Sequence, residues 1–269
     1  MIWVTVITLA ILQGIAEFLP ISSSGHLAVL SAVFGLPQDE GAAFSIILHA
    51  GSLLAIVAFY FQTLLGFLKK DQLHLLGMIV IGSIPAGIVG ITLKKTGLDQ
   101  ELFGDMLSVA MGFLITASIL RLTGKTKLCA NSNTDLKEIS LRQSLTVGFA
   151  QAFAIIPGVS RSGSTIAAGI LSGIRFEAAA TFSFLLALPA IAGATLLEVI
   201  SLSQNGFQTG RFSMLQLSVG FIISAAVSFA SLTLLVTLIK KRKLNYFSWY
   251  LFLLGASIMI WQILSLSKG

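Results

Sequence analysis

Long apolar runs separated by short polar segments make up most of this chain. Five uncharged runs approach or exceed the roughly 20 residues that a helix needs to cross a bilayer: residues 41–68, 75–93, 178–197, 212–239 and 244–267. A sixth run, residues 106–120, reaches that length if Arg121 extends its charged end to the membrane interface. The runs lack the polar–apolar alternation of barrel strands, so they predict helices. We therefore predict an all-α integral membrane protein built as a helical bundle.

The composition agrees with this class of protein. Of the 269 residues, 55% are hydrophobic and only 10% are charged, and the mean hydropathy is +0.93. The net charge of +6 comes from basic residues in the predicted loops, where orientation signals are expected, so we predict no nucleic-acid partner. The single Cys129 excludes an internal disulfide framework. Residues 1–19 lack the features of a removable signal peptide and are interpreted as the first helix.

Two polar, turn-rich stretches interrupt the apolar pattern. They read QGIAEFLPISSSGH at residues 13–26 and QAFAIIPGVSRSGST at residues 151–165. Each contains proline, glycine, hydroxyl side chains and at least one ionisable group. A charged group at the bilayer centre costs about 2.5–3.5 kcal/mol on insertion scales, so it usually lines an internal cavity and marks a functional site. We expect the two stretches to meet and form one site.

The two stretches belong to an internal repeat, because residues of the first half match residues of the second half at one constant spacing. The matching residues are Gln13 and Gln151, Ser22 and Ser160, Ser24 and Ser162, Gly25 and Gly163, Phe44 and Phe182, Ser45 and Ser183, Leu48 and Leu186, and Gly82 and Gly220. Agreement at one spacing indicates a duplication. The single membrane domain, residues 1–269, thus divides into repeat 1 (about 1–122), a linker (123–141) and repeat 2 (about 142–269). Each repeat is predicted to hold a broken or re-entrant helical hairpin plus three transmembrane helices.

The basic residues predict how the repeats are oriented. If each half makes an odd net number of crossings, twelve basic residues fall on one face. The other face receives four: Lys94, Lys95, Arg211 and Lys268. The positive-inside rule then places the first face in the cytoplasm and both termini outside. The repeats are inverted in this interpretation, and such proteins place their sites near the midplane, where broken helices meet.

The residue types in the two stretches suit an anion. Gln13 and Glu17 share a helix face, and the serine-rich turns would present hydroxyl and N–H groups at helix N-termini, which bind anions. Arg161 adds a guanidinium suited to bidentate phosphate contact. These are parts of a phosphate-binding site. His49, in a long apolar run without a polar cluster of its own, is interpreted as a structural histidine.

The motifs resemble a known family. Gln13, Glu17 and the run FLPISSSGH at residues 18–26 resemble the first signature of the undecaprenyl-diphosphate phosphatase family, which is associated with bacitracin resistance. The run PGVSRSGST at residues 157–165 resembles its second signature, PGxSRSxxT. The resemblance covers essentially the whole chain. It implies a bacterial plasma-membrane hydrolase that converts a polyprenyl diphosphate to the monophosphate, recycling the lipid carrier for peptidoglycan and cell-wall synthesis. It also implies a homodimer and a divalent cation, Mg²⁺ or Ca²⁺.

The resemblance assigns the catalytic residues by position: Glu17, Ser23, His26 and Arg161. We expect Ser23 to act as or position the nucleophile, with His26 as base and Glu17 orienting it or holding the metal. A His26 nucleophile or a direct attack by water stays open. Gln13 stands where the family often has Glu, and a neutral amide is a poorer ligand for a hard cation, so Glu17 is the stronger metal candidate. The predicted phosphate-binding residues are Ser22, Ser24, Gly25, Ser160, Ser162, Gly163 and Thr165.

The main alternative is a polyprenyl-phosphate transporter or flippase. Inverted repeats with broken helices at the midplane suit alternating access as well as they suit a catalytic site. Transport alone, however, does not need a hydroxyl, an imidazole and a carboxylate beside an anion site, which favours the hydrolase. A channel is a weaker third option, because no continuous polar face runs through several of the predicted spans.

Overall fold

The structure is a computed structural model, and it describes residues 2–36, 38–67, 69, 72–98, 105–124, 133–205 and 212–266. Within these residues the fold consists of eleven α-helices and one short 3-10 helix, without a β-strand. The helices are α1 (Ile2–Ala16), α2 (Ser23–Val33), α3 (Gln38–Phe59), α4 (Phe61–Gly66), α5 (Leu73–Thr96), α6 (Met106–Thr123), α7 (Leu141–Phe153), α8 (Arg161–Leu171), α9 (Phe176–Asn205), α10 (Met214–Lys240) and α11 (Tyr246–Leu266). The predicted all-α fold is confirmed.

Several of these helices are built for a membrane. Among the described residues, five helices are long and apolar enough to cross a bilayer: α5, α6, α9, α10 and α11. Their outer surfaces expose large apolar side chains such as Val80, Ile88 and Leu253, as expected where lipid surrounds a protein. The protein is therefore a multi-pass membrane protein. Residues 125–132 of the predicted linker, with Cys129, lie outside the described residues, as do Arg211 and Lys268.

The order of the helices follows the predicted repeat. Helices α1, α2, α3, α5 and α6 are followed by α7, α8, α9, α10 and α11, each of which begins at close to the spacing that separates Gln13 from Gln151. The packing of the helices shows the same correspondence between the halves. Helix α1 of the first half packs against α10 of the second half. Helix α7, the counterpart of α1, packs against α5, the counterpart of α10. Two repeats related by approximate two-fold symmetry produce such a pattern. The inverted orientation of the repeats in the membrane stays a prediction.

Glycines allow the helices of the two halves to approach closely. A Cβ atom on Gly148 of α7 would lie 2.3 Å from the carbonyl oxygen of Gly82 on α5. A Cβ on Gly14 of α1 would lie 2.7 Å from the Val227 side chain on α10. Small residues are the usual means of close helix packing in membranes, where the hydrophobic effect gives helices little reason to associate. These contacts fix the position of both short helical hairpins.

The hairpins α1–α2 and α7–α8 meet at their turns. The Ser162 hydroxyl donates a hydrogen bond of 3.3 Å to the carbonyl oxygen of Leu19. A Cβ on Gly25 would lie 3.0 Å from the Cα of Gly158. Phe18, at the turn of the first hairpin, is fully buried and packs edge-on against Phe184 at 5.7 Å. The two polar stretches therefore lie side by side inside the helical bundle, as the sequence led us to expect.

Candidate functional site

The first turn places Ser23 at the start of α2 through a strained backbone at Ser22. Ser22 has a φ of 69°, which is uncommon for a residue other than glycine. Such conformations cost about 1–3 kcal/mol and occur mostly at functional sites. The Ser22 side chain accepts a hydrogen bond from the N–H of Gly25, and its carbonyl oxygen accepts from the N–H of His26. These bonds hold Ser22 in place while α2 begins.

The second turn also has a left-handed backbone conformation, here at a glycine. Gly158 has a φ of 81°, and a Cβ atom there would lie 2.1 Å from the carbonyl oxygen of Val109. Ser160 caps α8 by accepting a hydrogen bond of 3.1 Å from the N–H of Gly163. Its own N–H donates to the Thr116 hydroxyl at 2.9 Å. As a result α8 begins at Arg161, directed towards the first hairpin.

Glu17 is the centre of the site. Its Oε1 accepts a hydrogen bond of 2.6 Å from Nη2 of Arg161 in a salt bridge between residues 144 positions apart in the sequence. Its Oε2 accepts from the Ser23 hydroxyl at 2.7 Å and from Nε2 of Gln13 at 2.9 Å. The Glu17 side chain is only 5% exposed. A buried carboxylate needs such charge and hydrogen-bond partners, and both hairpins supply them here.

His49 of α3 also lies at this carboxylate. Its Nε2 lies 3.6 Å from Oε2 of Glu17. Its Nδ1 donates a hydrogen bond of 2.8 Å to the carbonyl oxygen of Ser45, which fixes the orientation of the ring. The sequence interpretation of His49 as a structural residue missed this proximity. The available signal was an ionisable side chain inside a long apolar run, which by itself suggests a functional residue.

His26 lies on a different side of α2. Its Nδ1 donates to the carbonyl oxygen of Ser22 at 2.8 Å, and its Nε2 lies 2.7 Å from the Tyr250 hydroxyl. Within the described residues, neither of these ring hydrogen bonds goes to Glu17 or Ser23. The Ser23 hydroxyl therefore donates its hydrogen bond directly to Glu17. The imidazole of His26 does not lie between them. Tyr250, 224 residues away in an apolar helix, gave no signal in the sequence.

Most of the predicted phosphate-binding residues are buried and bonded within the protein. The Thr165 hydroxyl, for example, donates to the carbonyl oxygen of Arg161 at 2.7 Å and lies 2.5 Å from the Ser183 hydroxyl. The buried members of the predicted set are Ser22, Gly25, Ser160, Ser162, Gly163 and Thr165. Ser24 is half-buried, with its hydroxyl 3.4 Å from that of Ser22. The side chains left partly accessible around Glu17 are those of Ser23, Ser24, His49 and Arg161.

A cluster of buried serines packs beside the Gln13 amide. The Ser228 hydroxyl donates to that of Ser52 at 2.9 Å, and the Ser52 hydroxyl lies 3.5 Å from Nε2 of Gln13. The Ser224 hydroxyl donates to the carbonyl oxygen of Leu48 at 2.7 Å. These three serines are completely buried between α1, α3 and α10. They hold the Gln13 amide with its N–H₂ group facing Glu17, which the sequence did not predict.

Two polar atoms on the side chains that contact Glu17 lack a hydrogen-bond partner among the described residues. They are Oε1 of Gln13 and Nη1 of Arg161, and both are buried. Carboxylate and amide oxygens are ligands for hard divalent cations, so Glu17 and Gln13 offer a partial coordination shell. The described residues contain no group of three or more His, Cys, Asp or Glu side chains that could hold a metal ion. A cation bound at these two side chains would take its remaining ligands from a bound phosphate.

The sequence is similar to known proteins over almost its whole length. Residues 6–257 match the family model described as bacitracin resistance protein BacA. The chain is 40% identical over 257 residues to the undecaprenyl-diphosphatase of Rhodopirellula baltica, covering 96% of this chain and 97% of that protein. It is 37% identical over 257 residues to the undecaprenyl-diphosphatase of Halothermothrix orenii, covering 95% and 96%. It is 34% identical over 271 residues to the undecaprenyl-diphosphatase of Bacteroides thetaiotaomicron, covering 98% and 100%. These matches confirm the resemblance seen in the two motifs, and the chain belongs to the bacitracin resistance protein BacA family.

Proposed function

We propose that this protein hydrolyses undecaprenyl diphosphate to undecaprenyl phosphate and inorganic phosphate. The relatives named undecaprenyl-diphosphatase support this activity. The structural observation that carries the proposal is that one buried carboxylate, Glu17, contacts both the Ser23 hydroxyl and the Arg161 guanidinium. The reaction returns the lipid carrier to peptidoglycan and cell-wall synthesis. It would also make the cell resistant to bacitracin.

Arg161 and the helix N-termini would bind the terminal phosphate. The Nη1 group of Arg161 is without a partner among the described residues, so it is available to a phosphate oxygen. Helices α2 and α8 begin at Ser23 and Arg161, and the positive ends of their dipoles favour an anion at the same place. When a phosphate oxygen takes over the Nη2 contact as well, the Glu17 carboxylate is released from its salt bridge with Arg161.

Ser23 is the proposed nucleophile and Glu17 the proposed base. The Ser23 oxygen forms a bond to the terminal phosphorus while the bond from phosphorus to the bridging oxygen breaks. Glu17 accepts the hydroxyl proton and passes it to the departing prenyl phosphate. Water then attacks the phosphoserine, and its proton returns through Glu17 to the Ser23 oxygen as inorganic phosphate leaves. The existing 2.7 Å hydrogen bond from Ser23 to Glu17 supports this proton path.

A divalent cation, Mg²⁺ or Ca²⁺, belongs to the proposal. Glu17 would hold it, and the unpartnered Oε1 of Gln13 offers a second, weaker ligand. Substrate phosphate oxygens would complete the shell, as is usual for Mg²⁺ in phosphate chemistry. The cation would supply charge neutralisation for the diphosphate. Ser23, Arg161 and the helix termini would still position the reacting phosphate.

The experiment that tests the function is phosphate release from a C55 polyprenyl diphosphate by the purified protein in detergent. Loss of one electrostatic partner of a reacting group typically costs about 10²- to 10³-fold in rate, so we expect at least that loss for Glu17→Gln and for Arg161→Ala. Arg175→Ala is the matched control, because Arg175 pairs with Asp135 at 2.7 Å on the exposed surface. EDTA should abolish release. The absence of release from folded wild-type protein would overturn the proposal.

The nucleophile can be identified by quenching the reaction with terminally ³²P-labelled substrate. An acid-stable phosphoserine that is absent in Ser23→Ala is the expected result. An acid-labile phosphohistidine that is absent in a His26 variant would show that the nucleophile is His26 and not Ser23. Turnover without any labelled protein, retained in Ser23→Ala, would indicate direct attack by water.

The names of the relatives do not support the transporter or flippase alternative. It remains testable in proteoliposomes, with a fluorescent polyprenyl phosphate and a reagent that quenches only the outer leaflet. Movement of the labelled lipid between leaflets without phosphate release would show that the protein is a transporter and not a hydrolase.

We further propose a bacterial plasma-membrane location with both termini outside, and a homodimer. The orientation follows from the predicted distribution of twelve basic residues against four, and the dimer from the family resemblance. Light scattering of the detergent-solubilised protein, corrected for bound detergent, measures the number of chains. A protein mass equal to that of a single chain would contradict the dimer.

A further inference from the structure

A tyrosine from the last helix contacts the histidine of the first motif. The Tyr250 hydroxyl of α11 lies 2.7 Å from Nε2 of His26, and the two rings are stacked at 5.7 Å with 13° between their planes. Phe113 of α6 packs edge-on against the other side of the imidazole at 5.0 Å. His26 is 7% exposed, so the ring is enclosed by these partners. Its position thus depends on α6 and α11 as well as on its own turn.

The hydrogen bonds define which nitrogen of His26 carries the proton. The Nδ1 atom lies 2.8 Å from the carbonyl oxygen of Ser22, and a carbonyl can only accept a hydrogen bond. Nδ1 must therefore carry hydrogen. In the neutral ring, Nε2 then has the lone pair, and the Tyr250 hydroxyl is its donor. The contact with Tyr250 therefore occupies the second ring nitrogen and fixes the rotation of the imidazole.

We propose that Tyr250 is a positioning residue that holds neutral His26 in the Nδ1–H tautomer with its Nε2 lone pair directed towards α11. The effect of Tyr250 on turnover rests on the proposed phosphatase function, whereas the tautomer itself follows from the geometry alone. Tyr250 acts through His26, because its described hydrogen bond goes to the imidazole and not to Glu17, Ser23 or Arg161. The second half of the chain thereby controls the chemistry of a motif in the first half.

An aromatic residue near the end of a membrane helix could also serve only as an interfacial anchor. Tyr246, one helical turn away on α11, has that environment. It is 64% exposed, and the Lys243 ammonium lies 5.8 Å from the centre of its ring. Tyr250 differs by its stacked and hydrogen-bonded partner. Tyr246→Phe is therefore the matched control for Tyr250→Phe, since each variant removes one hydroxyl from the same helix.

Nitrogen NMR of the full-length protein with ¹⁵N-labelled histidine tests the tautomer without substrate. The chain has only three histidines, and His26→Asn identifies the His26 signals. His74 is an internal reference for the opposite tautomer, because its Nε2 lies 2.9 Å from the carbonyl oxygen of Ile139. We expect Nδ1–H signals for His26 in the wild type and in Tyr246→Phe. In Tyr250→Phe the Nε2 signal should shift away from its hydrogen-bonded position.

Kinetics test the positioning role separately. His26 lies in the first turn of α2, which begins at Ser23, and a misplacement of about 1 Å can cost about 10²-fold in rate, so we expect Tyr250→Phe to lower kcat at least tenfold with KM within about twofold of the wild type. Tyr246→Phe should change neither. An Nε2–H tautomer in the wild type, or an unchanged His26 spectrum in Tyr250→Phe, would overturn the proposal. Unchanged kcat in Tyr250→Phe would overturn its catalytic part. Absence of phosphate release by the wild type would refute the phosphatase function and leave the NMR result intact.

Discussion

The site depends on one carboxylate that satisfies several partners at once. Glu17 receives hydrogen bonds from Gln13, Ser23 and Arg161, and its charge is balanced by one guanidinium. Removing one member of a buried ion pair leaves an uncompensated charge, which costs more than removing both. The individual contributions of these residues to stability should therefore be strongly coupled.

We expect Arg161→Gln to lower the free energy of unfolding by about 3 kcal/mol, because Glu17 loses its counter-charge inside the protein. The double variant Glu17→Gln and Arg161→Gln should recover at least about half of this loss, since no buried charge remains. Thermal unfolding of the purified proteins in detergent provides the comparison. Losses that simply add in the double variant would contradict the coupling.

His49 should support turnover through its contact with Glu17. We expect His49→Ala to lower kcat about tenfold, since it removes an imidazole 3.6 Å from the carboxylate that we propose as the base. His49→Gln should retain more activity, because it keeps a polar side chain beside the carboxylate. Phosphate release measured at saturating substrate gives both values. Equal activity of His49→Ala and a His74→Gln control would show that the contact is not used.

Sequence motifs revealed only part of this chemistry. Glu17, Ser23 and Arg161 stand out because polar residues are rare inside apolar sequence. His49 and Tyr250 come from apolar helices far away in the chain, and only tertiary packing brings them to Glu17 and His26. Ser52 looks like an ordinary small residue of a membrane helix. His49 carried one signal, an ionisable group inside an apolar run, but its partner and the contacts of Tyr250 and Ser52 could not be assigned before the helices were placed.

Among the helices and turns, the apolar pattern predicted where helices lie better than where they end. The first helix was expected to reach Leu19, but α1 ends at Ala16. Phe18 and Leu19 continue the apolar pattern, yet they are buried in the turn against the second hairpin. Apolar residues inside a protein look the same in sequence whether their backbone is helical or not. The uncharged run at residues 41–68 is likewise divided after Phe59, with α4 starting at Phe61.

The turn before α8 should be intolerant of any side chain at Gly158. We expect Gly158→Ala to prevent stable folding or to lower the unfolding temperature strongly, because its Cβ would lie 2.1 Å from the Val109 carbonyl oxygen. Gly97→Ala is the control: Gly97 has a φ of 71°, but no neighbour lies within 4 Å of its Cβ position. Left-handed strain alone costs about 1–2 kcal/mol. Equal thermal stability of both variants would contradict the steric argument.

The start of α6 should give a pH-dependent contribution to stability. Hydrogen bonds from the Ser108 side chain and from the backbone of Leu107 and Ser108 hold the pKa of Asp105 below its ordinary value of 3.8. A lowered pKa in the folded protein means that the ionised cap stabilises above 3.8 and that this stabilisation disappears as the pH falls. We expect Asp105→Ala to cost about 1 kcal/mol at pH 7.

Thermal unfolding in detergent at pH 7 and at pH 3 measures this difference. The difference in unfolding temperature between the wild type and Asp105→Ala should be smaller at pH 3 than at pH 7. Asp105→Asn keeps a neutral side-chain acceptor at the helix start, so it should lose at pH 7 only the part that depends on the charge, and its advantage over Asp105→Ala should be the same at both pH values. A gap between wild type and Asp105→Ala that is unchanged at pH 3 would exclude the ionised cap as its source.

For the complete bundle, the sequence predicted the all-α membrane architecture. The helix starts of the second half follow those of the first at nearly the same spacing as the matching residues, such as Gln13 and Gln151. Which helices pack across the repeats could not be predicted, because every apolar helix face fits lipid as well as protein. Contacts such as that of Gly148 with the Gly82 carbonyl oxygen select the partners through shape.

The orientation of both termini follows from the predicted charge distribution and can be measured with single cysteines. The natural chain has only Cys129, in the linker that we predict to be cytoplasmic. We expect a membrane-impermeant maleimide to leave the wild type unlabelled in intact cells. A Cys129→Ser protein with a cysteine added at its C-terminus should be labelled. Labelling of Cys129 in intact cells, but not of the C-terminal cysteine, would reverse the predicted orientation.

The salt bridge between the hairpins also sets an order of events during synthesis. Glu17 leaves the ribosome 144 residues before Arg161. At a synthesis rate of about 5–20 residues per second, the carboxylate waits about 7 to 30 seconds for its guanidinium partner. During that interval the first hairpin holds an uncompensated acidic group in or beside the membrane. A proton, water or an assisting protein must stabilise this group until the second hairpin arrives, so a chain truncated before Arg161 is the form that cellular proteases should recognise.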